Sequence, residues 1–354
     1  MSIPDGVCGY TETVTTTRFV YISLAGLVAV FGSFSNILLF VLFQTTPSRP
    51  PSLFPAFLAL LDALLCFCFI FIFVLDVNMM YLKLPGLFTF YHDHVILAFS
   101  TAKIVQFLIP YMLIFATFER YTWIANKKSQ VSTTARPLSL LMLVVVAAAI
   151  RAPAAAVLTV SRFPDCPDFF RTLAVDILPW AKENNLYMAF DLYGMAFFQT
   201  FFPFVTLLSL NVIIIRKLHL INSKNRRMSL QVLPGIRPSI LSSLRRYKMP
   251  SSVRNAVYTM MAIVSTYLVS NSLHLMLTLL EFGKASILFE EFDSFHASTL
   301  YTTMGDAVSV LYMTSSAIRI LIYSRCNPTI WKQLSSNPFM KKLTSQKRTT
   351  DVFL

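Results

Sequence analysis

Charge is what this chain has least of. Only 13% of its 354 residues are Asp, Glu, Lys or Arg, against 55% hydrophobic, and mean hydropathy is +0.62. Too little polar surface remains to coat a soluble globule, which leaves an integral membrane protein. Glycine is scarce too, at nine, and no internal repeat or low-complexity tract occurs. Transporters commonly combine repeated halves with helices broken at Gly or Pro, so that class is disfavoured. A metal-dependent membrane hydrolase needs several intramembrane His or carboxylate ligands. Of five histidines only His274 lies well inside a long apolar run, and no metal site, cofactor or enzymatic activity is expected.

What is present is a series of long apolar stretches, roughly 19 to 43, 53 to 75, 94 to 124, 138 to 161, 188 to 215, 255 to 280 and 297 to 324. Each can cross a hydrocarbon core of about 30 Å at about 1.5 Å per helical residue. The expected fold is therefore all-α, a bundle of seven transmembrane helices. No small-residue cleavage site follows the first stretch, which reads as a retained span rather than a signal peptide. The expected divisions are an N-terminal segment over 1–18, the bundle over 19–324, and a tail over 325–354.

The net charge of +13 raises nucleic-acid binding, but the position of the cations excludes it. They crowd into alternate gaps: Arg49, then Lys127, Lys128 and Arg136, then ten Lys or Arg without an acid between Arg216 and Arg254, then six after Tyr323. The opposite side carries six cations and twelve acids. By the positive-inside rule the N-terminus is extracellular and the C-terminus cytoplasmic, as in a multi-pass plasma-membrane protein. The basic inner segments fit anionic lipid. After Tyr323, Asn327 and Pro328 open a run in which Ile330, Trp331, Leu334 and Phe339 oppose Lys332, Lys341 and Lys342. That composition predicts a short amphipathic helix on the inner membrane face.

Cys66 and Cys68 fall inside the second stretch and Cys326 just after the seventh, so only Cys8 and Cys166 face the oxidising side. They either pair or stay free thiols. No Asn-x-Ser/Thr sequon occurs on that side, and N-glycosylation is not expected.

Ionisable groups inside a bilayer are costly and mark functional positions. Here they are Asp62, Lys103, Glu119, Arg120, Arg151, Asp191, Asp306 and Arg319. Four motifs sit in order on successive stretches: Gly32-Ser33-Phe34-Ser35-Asn36, Leu58-Ala59-Leu60-Leu61-Asp62, Glu119-Arg120-Tyr121 and Phe201-Phe202-Pro203. Together they resemble the anchors of rhodopsin-like G-protein-coupled receptors, and the resemblance covers nearly the whole chain. It implies that Glu119 holds Arg120 at rest, and that Arg120 is released when the inner helix ends part to admit a heterotrimeric G-protein. It also implies a receptor kinase and arrestin as partners, with Ser335, Ser336, Thr344, Ser345, Thr349 and Thr350 as acceptor sites.

Several positions depart from that pattern. The sixth stretch lacks the Cys-Trp-x-Pro switch, with Val269 and Asn271 in its place, and Asn211 stands where the family usually has a tyrosine. Val95 occupies the place of the usual outer cysteine of span three, so the familiar disulfide cannot form. The seventh stretch ends in Arg319-Ile320-Leu321-Ile322-Tyr323 instead of Asn-Pro-x-x-Tyr. With Tyr267 to Leu273 and Tyr323 to Pro328, this resembles a divergent nematode branch that contains FMRFamide-type neuropeptide receptors and orphan receptors.

In a typical family member the aspartate matching Asp62 helps hold sodium near the Asn-Pro pair. Here a permanent guanidinium takes that neighbourhood. Counting depth at about 1.5 Å per residue puts Asp62 and Arg319 within reach of each other, and an ion pair between them, beside Asn36, is expected. Tyr323 joins Glu119, Arg120 and Tyr121 in the expected coupling surface. For the ligand, the acids Glu281, Glu290, Glu291 and Asp293 would steer a cationic peptide. Lys103, where amine receptors carry an aspartate, argues against a biogenic amine. Gln106, Asn271 and His274 complete the candidate ligand-binding set. The alternative is a chemosensory receptor for small environmental molecules.

Overall fold

The computed structural model describes residues 8–9, 14–45, 53–125, 135–230, 251–283, 299–327, 330–332 and 334. Seven helices are long and apolar enough to cross a membrane. They are α1 (Thr16–Thr45), α2 (Leu53–Leu82), α3 (Pro85–Ile124), α4 (Ala135–Val157), α5 (Asn185–Ile221), α6 (Ser251–Phe282) and α7 (Thr299–Cys326). A helix satisfies its backbone polar groups internally, the requirement that hydrocarbon imposes on any spanning segment. The bundle is that of a multi-pass membrane protein.

Packing follows side-chain size. The inward face of α1 is Ala25, Gly26, Ala29, Gly32, Ser35 and Asn36, a small-residue stripe that lets backbones approach closely. Gly32 marks the tightest point, where an added Cβ would lie 2.7 Å from Cys66 Sγ and 2.8 Å from Ala317 Cβ. The main core lies further inward. Leu58, Leu61 and Leu65 of α2 meet Leu108, Met112 and Leu113 of α3, together with Ile263 and Tyr267 of α6. Large residues outside this core, such as Leu27, Leu97 and Leu141, are exposed on the surface that lipid would cover.

Three boundaries differ from the sequence expectation. The helix α3 starts at Pro85 rather than near 94, because Lys83 takes a left-handed conformation (φ 53°), ends α2, and leaves Pro85 at the first helical position. Residues 85–93, outside the expected third span, are consequently helical. His92 is buried with Nδ1 2.9 Å from the Phe88 carbonyl, whereas His94 is exposed. Residues 158–161, counted with the fourth span, belong instead to β1 (Leu158–Arg162). It pairs antiparallel with β2 (Leu173–Ile177) in a hairpin, with Val160 opposite Val175. A short apolar run has no period that separates a helix end from a strand.

The hairpin caps the end of the bundle at which α1 begins, the end expected to be extracellular and so the outer one. A disulfide joins Cys8 to Cys166, Cα to Cα 5.0 Å. Beside it the Gly9 amide donates to the Arg171 carbonyl at 3.0 Å, and Arg171 Nε donates to the Gly9 carbonyl at 2.9 Å. Phe170 packs edge-on against Phe88 with Lys83 Nζ over its ring. At the hairpin's open edge Lys182 Nζ donates to Asp176 at 2.9 Å, and that hydrogen bond holds the Asp176 carboxyl below the usual carboxylate range. At the opposite end, Ile330 and Leu334 beyond α7 are buried against the main core while Trp331 and Lys332 are exposed. The remainder of the expected surface helix lies outside the described residues.

Candidate functional site

Four polar features follow one another from the outer to the inner end of the bundle. The outermost is an ion pair that sequence reading missed. Arg18, at the start of α1, donates from Nε to Asp306 of α7 at 2.8 Å and from Nη2 at 3.2 Å. This two-pronged geometry makes a strong charge-assisted contact. An intramembrane acid was the available signal; its partner, counted among the outer cations, sits 288 positions away.

Below it lies a cavity of about 270 Å³ between α2, α3, α5, α6 and α7. Phe69, Ile72, Phe73 and Phe99 form its apolar wall, with Lys103, Gln106, Gln199, Asn271 and His274 as polar lining. Two local distortions of the helices help build it. A π turn over Ile70–Leu75 carries Ile72 and Phe73 into the wall, and a second over Phe197–Phe201 carries Gln199. Such turns are common where a helix serves a site. Asn271 donates to the Tyr267 carbonyl at 3.0 Å, while Val269 is 74% exposed on the outside of α6. Of the two residues at the missing switch, only Asn271 faces inward. Of the remaining candidate ligand residues, Glu281 accepts from the Tyr301 hydroxyl at 2.8 Å and does not line the cavity. Glu290, Glu291 and Asp293 lie outside the described residues. Arg151, off the cavity, is buried with its guanidinium over Phe107.

Tyr267 and Tyr312 line the cavity's inner end, and next to them is the polar core. Arg319 Nη1 donates to Asp62, with Asp62 wholly buried and Arg319 2% exposed. A break in α7 aims Arg319 inward. Ile318 stays in the right-handed region but with ψ opened to −4° (φ −81°), so the regular helix is interrupted between Ala317 and Arg319. The family resemblance would put a proline at Ile320. The break exists here without one, because Asn36 Nδ2 takes the Ser316 carbonyl at 3.0 Å while also donating to the Gly32 carbonyl at 2.9 Å. A side chain of α1 thus satisfies a carbonyl that a continuous α7 would have used itself.

The innermost feature surrounds Arg120. Its guanidinium is buried, 4.0 Å from Glu119 Oε2, and lies over the Trp123 ring at 3.9 Å from the centroid. Tyr121 lies under Lys217 Nζ of α5, 5.1 Å away, and Tyr323 is buried edge-on to Phe43. Trp123 carries no motif, but residues three apart share a helix face, and its place after Arg120 was the signal for it. A desolvated cation–π contact contributes up to about 2 kcal/mol. Trp123→Leu is expected to lower the melting temperature, since it takes away up to that much stabilisation. An unchanged melting temperature would show that the contact adds nothing to the fold.

The arrangement is that of a seven-helix membrane fold with a cavity in its outer half and a buried arginine at its inner end. Squid rhodopsin is similar in fold. The crystal structure of that protein aligns with a TM-score of 0.63 over 93% of this chain and 82% of its own, at 14% sequence identity. At that identity the likeness is one of fold. No family model and no curated protein matches the sequence.

Proposed function

We propose that the chain is a G-protein-coupled receptor, with its N-terminus outside the plasma membrane and its C-terminus in the cytoplasm. The observation that carries this is the vertical order of the site: cavity, tyrosine pair, Asp62–Arg319 pair, then Arg120 among the inner helix ends. A ligand that contacts α3, α6 and α7 differently in two helix arrangements shifts their populations. Opening the inner ends then presents Arg120 and the basic inner segments to a heterotrimeric G-protein, next to anionic lipid. Receptor kinase and arrestin belong to the same reading through the serines and threonines of the tail.

On the ligand the cavity and the outer rim point in different directions. The cationic-peptide reading rests on the acids of the rim, of which Glu281 is already bonded to Tyr301. The cavity is too small for more than a side chain or two of a peptide, and the one charged residue lining it among those described is Lys103. Its chemistry supports the second reading, a small chemosensory-type ligand.

The coupling experiment needs no known ligand. Protein purified into anionic vesicles is mixed with each class of heterotrimer at high density, and guanine nucleotide exchange is followed. Accelerated exchange on at least one class is expected. Correctly folded protein that accelerates none, with or without compounds shown to bind it, overturns the reading.

A further inference from the structure

The cavity has a polarity of its own. Its wall toward α2 is hydrocarbon and aromatic, from Leu65, Phe69, Ile72 and Phe73, while Lys103 enters from α3. Lys103 is exposed to the cavity rather than packed, and it makes no hydrogen bond or ion pair with any described residue. Among the described residues, the charges that act on it are Arg151, Asp191 and Glu281. Arg151 is a second cation, and Glu281 is engaged by Tyr301. Asp191 and Glu281 do not line the cavity. An ammonium in such surroundings is costly unless an anion meets it. The side-chain amide of Gln106, also without a partner among the described residues, lies one helical turn away on the same face of α3, where it can donate to a second oxygen of the same group.

We propose that the cavity binds an amphipathic small molecule carrying one carboxylate, its acid group on Lys103 and its apolar body against Phe69, Phe73 and Phe99. This deepens the receptor reading, on which its role as the signalling ligand rests, but the binding itself does not depend on coupling. A carboxylate supplies a counter-charge that no described residue lining the cavity provides, through a charge-assisted hydrogen bond, and a single aromatic or short aliphatic body suits a volume of about 270 Å³. A cationic ligand would place a second positive charge beside Lys103.

The test uses the full chain in nanodiscs without G-protein. Binding of phenylbutyrate is compared with that of phenylbutanamide and phenylbutylamine, which differ only in the head group, after subtraction of partitioning into empty nanodiscs. The carboxylate is expected to bind roughly tenfold or more tighter than the amide, and the amine weakest, as expected for one charge-assisted contact. In Lys103→Gln the carboxylate falls to the level of the amide, and in Lys103→Glu the amine becomes the best of the three. Melting of the unliganded protein gives an independent reading. Removing a cation that no described acid pairs with leaves the melting temperature of Lys103→Gln equal to or above the parent's, whereas a lysine paired within the protein would lower it. An amine bound as well as the carboxylate, absence of binding by all three, or a Lys103→Gln variant that keeps its acid preference overturns the proposal. Lys103-dependent carboxylate binding by a protein that accelerates exchange on no heterotrimer, with or without the carboxylate, would retain the site and reject the receptor reading.

Discussion

Asp62→Asn and Arg319→Ala, each made alone, sharply lower the amount of folded protein at the cell surface and the melting temperature of what is recovered. The two charges are held in the core with almost no exposure, and removing one strands the other, at a cost of roughly 3 to 5 kcal/mol. That is a large share of the stability of most folded domains. The exchanged pair, Asp62→Arg with Arg319→Asp, recovers part of the loss, limited by the packing around Gly32 and Ala317. Replacing both by apolar residues of similar volume restores stability more fully, since no charge then remains to be desolvated. The same geometry predicts that sodium alters agonist affinity no more than potassium does at equal ionic strength, because the guanidinium already supplies the positive charge. The decisive measurement is a double-mutant cycle on melting temperature and surface yield. Strictly additive single effects would show that the two residues do not act as a pair.

Arg120→Ala is expected to bring ligand-stimulated nucleotide exchange down to the level of empty vesicles while leaving surface expression and ligand binding close to the parent. Gln106, the cavity residue of α3 nearest in sequence to Arg120, is about 21 Å from it along the helix at about 1.5 Å per residue, so the substitution removes the inner contact without touching the ligand. Losing the guanidinium also leaves Trp123 without its cation and takes away the charge 4.0 Å from Glu119. A glutamate in such a position can protonate, which keeps the fold cost modest. Undiminished exchange on the responsive heterotrimer would remove Arg120 from the coupling surface.

The parts of this site that were legible in the sequence are those where hydrocarbon forbids an alternative. Asn36, Asp62 and Arg319 are polar groups in apolar runs, and the need to satisfy them points to one another. Asp306 announced itself in the same way, but its partner did not, because Arg18 lies at a helix start where an arginine needs no explanation. The break at Ile318 was invisible for a different reason. No Gly or Pro marks it, and it depends on a carbonyl captured from another helix by Asn36. The hairpin of β1 and β2 was hidden because Leu158 to Ser161 continue the apolar run of α4 without a change of composition. The early start of α3 was hidden because Lys83 and Leu84 form a turn too short for composition to show.

The proline-free break in α7 also bears on how the protein is made. The last span enters the membrane carrying Arg319, whose transfer on an isolated helix is opposed by about 2.5 to 3.5 kcal/mol. It also carries Asp306, a second charge that needs a counterpart from α1. Both counterparts, Asp62 and Arg18, belong to the first two spans synthesised. The final helix is therefore poorly suited to wait alone in lipid, and its lateral release is conditional on an already assembled α1–α2 pair. The chain's last span acts as a check on its first two, and truncated or misassembled copies would retain an exposed α7 for quality control to recognise.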